Sequence, residues 1–473
     1  VLVPEIALTS QLSNEFKKLH TNVVVLHSGL TEAERHIFWQ TLQNSVDPWV
    51  VVGPRSALFS PRDDFGLVIV DECHEPSYHQ DSQPKYNALR VAKKLSELLP
   101  TKPKLVLGSA TPSVTDYYLA THTKTPIHRL EAQVTARDAL VEVVDLKDPA
   151  QTGGNIILSR PLLDAISRAL TTGQQVLLFH NRRGSARSGV CTDCGWVASC
   201  STCHLPMRLH HDVNVLKCHT CGNEMEPPKS CPECHGIHID YKGFGTKRIE
   251  AEVQKRFPGV SIARFDSDTN KEARLHKVYD DVRDNEIQVI IGTQGIAKGL
   301  DLPQLSVVGI IQAESELYVP DFSSEERAFQ LITQVIGRAG RRGQKSEVYI
   351  QTYNPEHPVV TFAQHEDYLQ FYDHAIEERE AEHMPPFTHL LHATIGYSTE
   401  EYAKKTATQA KQSITKSHPG VYVRGPMPAF HEHRGSKYYQ QLVITSSKRS
   451  DLVAIARSLP QKWQYTLDPP NLF

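Results

Sequence analysis

Eight of the nine cysteines in this 473-residue chain fall within 44 residues as four C-x-x-C pairs: Cys191/Cys194, Cys200/Cys203, Cys218/Cys221 and Cys231/Cys234. A C-x-x-C turn lets two thiolates reach one tetrahedral ion, so the pattern reads as two structural Zn²⁺ sites of four sulfurs each. A secreted disulfide scaffold fits poorly, because the rest of this long chain holds only Cys73 and needs no staples. Thioredoxin-like redox chemistry would need one pair, not four. Four pairs combine in three ways. Cys200/Cys203 and Cys218/Cys221 are separated by 14 residues, close to a zinc-ribbon spacing. That leaves Cys191/Cys194 with Cys231/Cys234 as an outer site closing the base of the segment. Sequential pairing would leave only five residues between the first two pairs. With eight thiolates available, His204, His210, His211, His219 and His235 read as surface residues. The segment 191–236 carries three Lys/Arg against five Asp/Glu, and thiolates bound to zinc make it more negative. Its charge disfavours phosphate, so packing or partner docking is at least as well supported as a DNA clamp.

A second constellation is acidic. The apolar run LVIV at 67–70 ends in Asp71-Glu72-Cys73-His74. A buried parallel strand delivering acids at its C-terminal end is a Walker B arrangement, with Asp71 holding Mg²⁺ on a nucleotide and Glu72 polarising the attacking water. The bland reading is an acidic helix start after a strand, and the acids alone do not beat it. Their context does. LVLGSATP at 105–112 is a second apolar strand running into Ser109-Ala110-Thr111. Further strands are expected at 176–179, 287–293 and 305–311. A third constellation, Gln334 to Gly343, sits at a helix end, where Arg338 and Arg341 are three apart and face one way. Guanidinium forks aimed at a transferring phosphoryl group stabilise its charge. An isolated R-x-x-R is usually a solvated face; in this order after D-E-x-H and S-A-T it is specific.

These elements set the class. Charged residues are 22% and hydrophobic residues 40% of the chain, an ordinary globular balance. The length suggests roughly three domains. No apolar run approaches a membrane span and no secretory signal is visible, so a cytoplasmic, non-membrane protein is expected. The net charge of −3 excludes a globally basic coat.

The order PEIALTSQL, LHSGLTEAER, GPRSALFSP, DECHEPSY, GSATPS, FHNRRG, GTKRIEAEV, GTQGIAKGLDLPQ, PDFSSEERAFQLITQVIGRAGRRG resembles superfamily 2 helicases. Eight zinc-type cysteines between FHNRRG and GTKRIEAE resemble, more narrowly, the primosomal protein N′ (PriA) replication-restart helicases, over essentially the whole chain. The resemblance implies an α/β fold with two RecA-like parallel-sheet lobes, a two-zinc insertion in the second, and a small α+β C-terminal domain. It implies an ATP- and Mg²⁺-dependent 3′-5′ DNA helicase that recognises stalled or abandoned forks and initiates primosome assembly. Implied partners are forked and single-stranded DNA, single-stranded DNA-binding protein and other primosome proteins. Family residues carry over to Asp71 and Glu72; to Gly108 through Thr111; to Thr293, Gln294 and Lys298; to Gln334, Arg338 and Arg341; and to all eight clustered cysteines in the nested pairing. Gln334, Arg338 and Arg341 are thereby expected at the nucleotide with Asp71, and Lys298 at DNA. An aromatic-rich loop after Walker B senses single strands in this family. Here it holds Tyr78 and Tyr86, which either stack on bases or pack against the first lobe.

There are departures. Cys73 stands where the family has an acid, and it is read as a lone buried cysteine without a zinc role. Leu300 replaces the family's histidine, which bears on DNA coupling. A G-x-x-x-x-G-K-[ST] loop appears nowhere in the chain. Val1 begins inside an apparent buried strand, so an N-terminal piece carrying that loop is expected to be missing, the first lobe to be incomplete with open strand edges, and this chain alone not to turn over ATP. The alternative is a non-catalytic zinc-stapled DNA- or partner-binding module derived from such a helicase. Expected divisions are 1–130 for lobe 1, 131–190 and 237–375 for lobe 2, 191–236 for the zinc insertion, and 376–473 for the C-terminal domain. From 384 to 473 there are eleven Lys/Arg against five Asp/Glu. Arg424, Arg434, Lys437, Tyr438 and Tyr439 there combine cations and aromatics suited to branched or single-stranded DNA, the alternative being a solvated basic face.

Overall fold

The computed structural model describes residues 1–4, 15–18, 20–27, 29–130, 138–181, 189–202, 206–210, 214–218, 222–241, 245–265, 281–294, 302, 304–319, 321–340 and 345–472, without the side chains of 138, 431, 433 and 434. The chain divides into two compact units, Val1–Thr125 and Pro126–Phe473.

In the first unit, short β-branched runs form parallel strands. Leu67–Val70 pairs with Lys104–Leu107, and Val23–Val25 pairs with Val50–Val52. Residues 1–3 stitch the two pairs together. Leu2 bridges in parallel to both Val70 and Gly53. Its N–H donates to the Ile69 carbonyl at 2.7 Å and its own carbonyl accepts from Asp71 N–H at 3.0 Å. The buried Leu2, Val68, Val70, Ala88, Leu89 and Ala92 share one apolar core. An open strand edge lies on the other side. Among the described residues, Lys104–Leu107 pairs only with Leu67–Val70, and Val106 and Leu107 are 49% and 43% exposed.

The second unit is built on a six-stranded, wholly parallel sheet in the order 262–265, 289–292, 175–179, 305–310, 345–352, 138–145. The central Gln175–Phe179 strand is buried along its whole length, as a strand covered on both faces must be. The helix Arg160–Thr171 buries Leu162, Ala165, Ile166 and Ala169, spaced three and four apart, onto that sheet. Gly309 makes the fit possible: a Cβ there would meet Leu162 and Leu178 methyls at 2.9 Å.

The cysteine segment leaves this unit on a short antiparallel base, Val190–Cys191 paired with Ile239–Asp240. Its own three-stranded sheet joins Arg208–His210, Val215–Lys217 and Glu224–Met225. The helix Tyr368–Ala381 runs through the expected boundary at 376, and the C-terminal sheet begins at His389. There, strands 389–397, 422–434, 437–446 and 464–467 alternate with helices 400–417 and 449–458 in βαββαβ order. The sheet order 422–434, 437–446, 389–397, 464–467 is all antiparallel, the split βαβ arrangement.

Candidate nucleotide and zinc sites

Asp71 and Glu72 follow directly on the Leu67–Val70 strand, so the sheet delivers both carboxyls at its C-terminal edge. Glu72 takes a left-handed φ of 46°, an uncommon conformation for a side chain of this type, and its N–H donates to Asp71 Oδ1 at 3.1 Å. The loop is tied to its neighbour from below. Gly108 N–H donates to the Val70 carbonyl and Cys73 N–H to the Gly108 carbonyl, both at 2.9 Å. His74 Nδ1 lies 2.7 Å from Ser109 Oγ and 3.5 Å from Glu72 Oε2. Ser109 Oγ also accepts from Thr111 N–H at 2.9 Å. D-E-C-H and S-A-T therefore form one hydrogen-bonded unit. Cys73 is buried, and burial, with Asp116 and Glu72 nearby, pushes its thiol up to about 12, so it is inert at neutral pH.

Tyr78 is a correction to the stacking option. It is 1% exposed and its hydroxyl donates to the Asp71 carbonyl at 2.6 Å. Its ring belongs to the apolar core and its oxygen holds the acidic loop in place, so in this fold it has no face to offer a base. Tyr86 is only partly buried and meets the half-exposed Phe59 edge-on, centroids 5.4 Å apart.

In the second unit, Gln334 lies near the end of the Ser324–Ile336 helix. Arg338 does not share that helix. It sits in the turn beyond it, where Gly337 N–H donates to Thr333 O and Arg338 N–H to Val335 O. The turn is pinned by Gly340 N–H to Ser346 Oγ at 3.0 Å. Gln334 and Arg338 are both partly exposed. The common facing of Arg338 with Arg341 cannot be read, since Arg341 lies outside the described residues, as do Lys298 and Leu300. Thr293 and Gln294 follow the Val289–Gly292 strand.

Cys191, Cys194, Cys231 and Cys234 converge, their sulfurs all within 4.8 Å of one another. Cys191 Sγ lies 3.6 Å from Cys234 Sγ and Cys194 Sγ 3.5 Å from Cys231 Sγ. These spacings are far too long for S–S bonds, and all four thiols are free. They approach the roughly 3.8 Å edge of a tetrahedron with Zn–S bonds of about 2.3 Å, so the donor set fits zinc. This is the outer site of the nested pairing. Three of the C-x-x-C turns share one feature among the described residues. The residue after the second cysteine is left-handed, at Gly195, Gly222 and His235, and its N–H donates to the first cysteine's carbonyl at 2.8, 3.0 and 2.9 Å. Gly195 is required twice over, since a Cβ would also strike the Tyr353 side chain. For the inner site, Cys200 and Cys218 are buried in one apolar cluster with Met207, Leu209 and Leu216; Cys203 and Cys221, like His204, His211 and His219, lie outside the described residues.

His210, expected at the surface, is buried and pairs with Glu432 Oε1 at 2.9 Å. Beside it, Arg208 Nη1 donates to the Phe430 carbonyl at 2.7 Å, and the guanidinium Cζ lies 4.5 Å from the centroid of that ring. Lys217 Nζ lies 3.8 Å from Glu400 Oε1. Two of the insertion's three cations thus reach the C-terminal domain, Lys217 while also pairing with Glu224 Oε1 at 3.3 Å within the insertion, a packing role that its own composition only hinted at. Arg424 is likewise engaged, donating to the Glu382 carbonyl at 3.2 Å. Tyr439 packs over Gly396. Lys437 is exposed at the hairpin tip, opposite Arg434 in register. No described helix is long and apolar enough to cross a membrane.

Sequence comparison adds three matches. Residues 1–118 match the DEAD/DEAH box helicase family, 243–343 the helicase conserved C-terminal domain, and 380–469 the primosomal protein N C-terminal domain. The chain is 36% identical, over all of its length, to the replication restart protein PriA of Bacillus subtilis, and covers 59% of that protein. It is 38% identical over 97% of its length to the Treponema pallidum protein of the same name, covering 69% of it. For the Haemophilus influenzae protein the figures are 35%, 98% and 63%. The chain thus spans about three-fifths to two-thirds of these relatives' length. With its acidic loop, its converging thiols and a C-terminal domain matched over 90 residues, the chain belongs to the replication restart protein PriA family.

Proposed function

We propose that this chain supplies the hydrolytic, zinc and C-terminal parts of an ATP-dependent 3′-5′ DNA helicase that acts in the cytoplasm at stalled or abandoned forks and initiates primosome assembly. The observation that carries the reading is the hydrogen-bonded unit of Asp71, Glu72, His74 and Ser109 at the end of a parallel strand. Asp71 would hold Mg²⁺ and Glu72 would orient the attacking water. Mg²⁺-bound ATP supplies the phosphoryl group and the free energy of its transfer. Gln334, Arg338 and Arg341 would meet the charge that develops on that group. His74 keeps Glu72 in place and reports its position to Ser109 through one short contact. Lys298, Tyr86, Arg434 and Lys437 would contact the DNA, with Lys437 at an exposed tip serving the backbone. The four outer thiols, and by analogy Cys200, Cys203, Cys218 and Cys221, would hold two Zn²⁺ that fix the insertion against the C-terminal domain. Single-stranded DNA-binding protein and primosome proteins are the partners the family implies.

The test is ATP turnover with and without forked DNA bearing a single-stranded arm. The 473 residues hold no G-x-x-x-x-G-K-[ST] loop to grip the β- and γ-phosphates, so the chain alone is expected to bind forked DNA without turnover. Joined to a preceding strand with such a loop, it is expected to hydrolyse ATP on DNA, and Glu72→Gln is expected to lower that rate by at least 100-fold. A joined protein that stays inactive, or whose activity survives Glu72→Gln, sinks the reading.

A further inference from the structure

Outside the cysteine segment, one more group of metal-type donors converges. The helices Ser324–Ile336 and Tyr368–Ala381 pack side by side in the second unit. Phe329 and Phe371 stack between them, centroids 4.2 Å apart and planes 7° from parallel. A buried bridge from Arg379 Nη2 to Glu326 Oε2, 2.5 Å long, fixes their register. Immediately beside that bridge, Glu325 Oε2 lies 3.1 Å from His374 Nε2, and Glu378 Oε1 lies 3.8 Å from the same nitrogen. One donor atom from each of the three falls within 4.8 Å of the other two. His374 and Glu378 are four apart, on one helical face. Metal–ligand bonds of about 2.0–2.2 Å place neighbouring donors roughly 3–4 Å apart, so the three need little rearrangement to share one ion. The nearby His357 is an orienting neighbour and not a ligand. Its Nδ1 accepts the Val359 N–H at 3.2 Å, capping the Pro358–Gln364 helix. Its Nε2 therefore carries the proton, and it faces Glu325 Oε1 at 3.8 Å. Ordinary ion pairing of a protonated His374 accounts for a single carboxylate. Helical spacing brings Glu378 beside His374, and what that spacing does not supply is Glu325, carried to the same nitrogen at 3.1 Å by the neighbouring helix.

We propose that Glu325, His374 and Glu378 form a binding site for one divalent transition-metal cation, separate from the thiolate sites and bridging the two helices. One imidazole and two carboxylates suit Mn²⁺, Co²⁺ or Zn²⁺, whereas four thiolates select zinc. Three protein ligands leave the remaining positions to water. The bridge clamps the start of the helix whose far end carries Gln334 and leads to Arg338.

The probe is Mn²⁺, titrated into chain first dialysed against a mild chelator so that it keeps only its two thiolate-held zinc ions, and followed by electron paramagnetic resonance; thiolate-held zinc resists both the chelator and exchange for Mn²⁺. One tightly bound Mn²⁺ is expected, with nitrogen modulation from a directly bound imidazole. Glu378→Gln, at a side chain more than half exposed and so compatible with folding, is expected to weaken binding at least tenfold. His374→Gln is expected to remove the nitrogen signal. Unchanged affinity in Glu378→Gln, or nitrogen modulation that persists in His374→Gln, overturns the assignment. Thermal midpoints in chelator that match the parent chain separate lost binding from lost fold.

Discussion

His74 Nδ1 lies 2.7 Å from Ser109 Oγ, which joins the loop after Leu67–Val70 to the loop after its paired neighbour Lys104–Leu107. The His74 side chain is almost wholly buried, so Ser109→Ala removes a partner from a group that water cannot reach. A cost of about 1–2 kcal/mol is expected in the stability of the first unit, read as a lower thermal midpoint. In a protein that turns over ATP, Ser109→Ala is expected to reduce DNA stimulation more than basal hydrolysis. Equal loss of both would make the contact purely structural.

Zinc content separates the pairing schemes. In the nested arrangement Cys191 and Cys231 serve one ion, so the double substitution Cys191→Ser/Cys231→Ser is expected to leave one zinc per chain. Sequential pairing would place those two cysteines on different ions and lose both. Metal analysis of the natively purified protein decides it.

The two tyrosines of the loop after the acidic strand should part company. Tyr78→Ala is expected to cost about 3–5 kcal/mol, the range for a buried aromatic, while Tyr78→Phe loses only one hydrogen bond, about 1 kcal/mol. Tyr86→Ala is expected to spare stability and weaken single-stranded DNA binding by 5-fold or more, since stacking on a base is worth about 1–3 kcal/mol. Anisotropy titrations beside thermal melts check both. Unchanged DNA affinity in Tyr86→Ala would leave that residue a packing role.

Acid should loosen the first unit through His79. Asn87 Oδ1 caps the Ala88–Leu98 helix by accepting from Leu89 and Arg90 N–H. Its Nδ2 therefore donates to His79 Nε2 at 2.9 Å, which requires a neutral ring. Burial, then Arg90, holds His79 down to about 4. A folded-state value below the unfolded one of about 6.5 means that the unfolded chain takes up the proton first. Stability is complete above pH 6.5 and falls as pH drops toward 4, by up to about 3 kcal/mol. Urea midpoints measured from pH 7 to pH 4 are expected to fall less in His79→Gln than in the parent.

Arg208 ties the cysteine segment to the C-terminal hairpin through a hydrogen bond to Phe430 O and its position over that ring. Arg208→Ala is expected to cost about 1–3 kcal/mol of docking and to expose residues 206–230 to limited proteolysis. Zinc content should not change. A digestion pattern identical to the parent's would mean that the insertion is held elsewhere.

Much of this protein is local, and local features are written in the order of residues. Asp71 and Glu72 end an apolar run because strand periodicity and its termination depend on a handful of neighbours. A C-x-x-C pair with glycine next after it specifies its turn within five residues, as Cys191 to Gly195 does. Three strands of the second unit's parallel sheet, 175–179, 289–292 and 305–310, were equally legible from short apolar runs, whereas 138–145, 262–265 and 345–352, with charged and polar residues interleaved, gave no such run. What lay beyond reach was convergence across long stretches of chain. That Leu2 fills the seam between Val70 and Gly53, or that His210 finds Glu432, follows only once those segments pack. Tyr78 could be read as a loop aromatic or as core, because its one-dimensional neighbourhood is the same in both cases; it is buried in a core that also holds Leu2, Ala57 and Leu89, which come from elsewhere in the chain. Glu325, His374 and Glu378 carry no spacing signal at all. Two of them share a helix and the third lies 49 residues earlier in the chain from His374, so it takes the packing of Phe329 on Phe371 and the Arg379–Glu326 bridge to bring them together. Sequence decided which chemistries were on offer and where each turn and strand would stop; tertiary packing decided which groups meet, because burial and distance are properties of the folded whole.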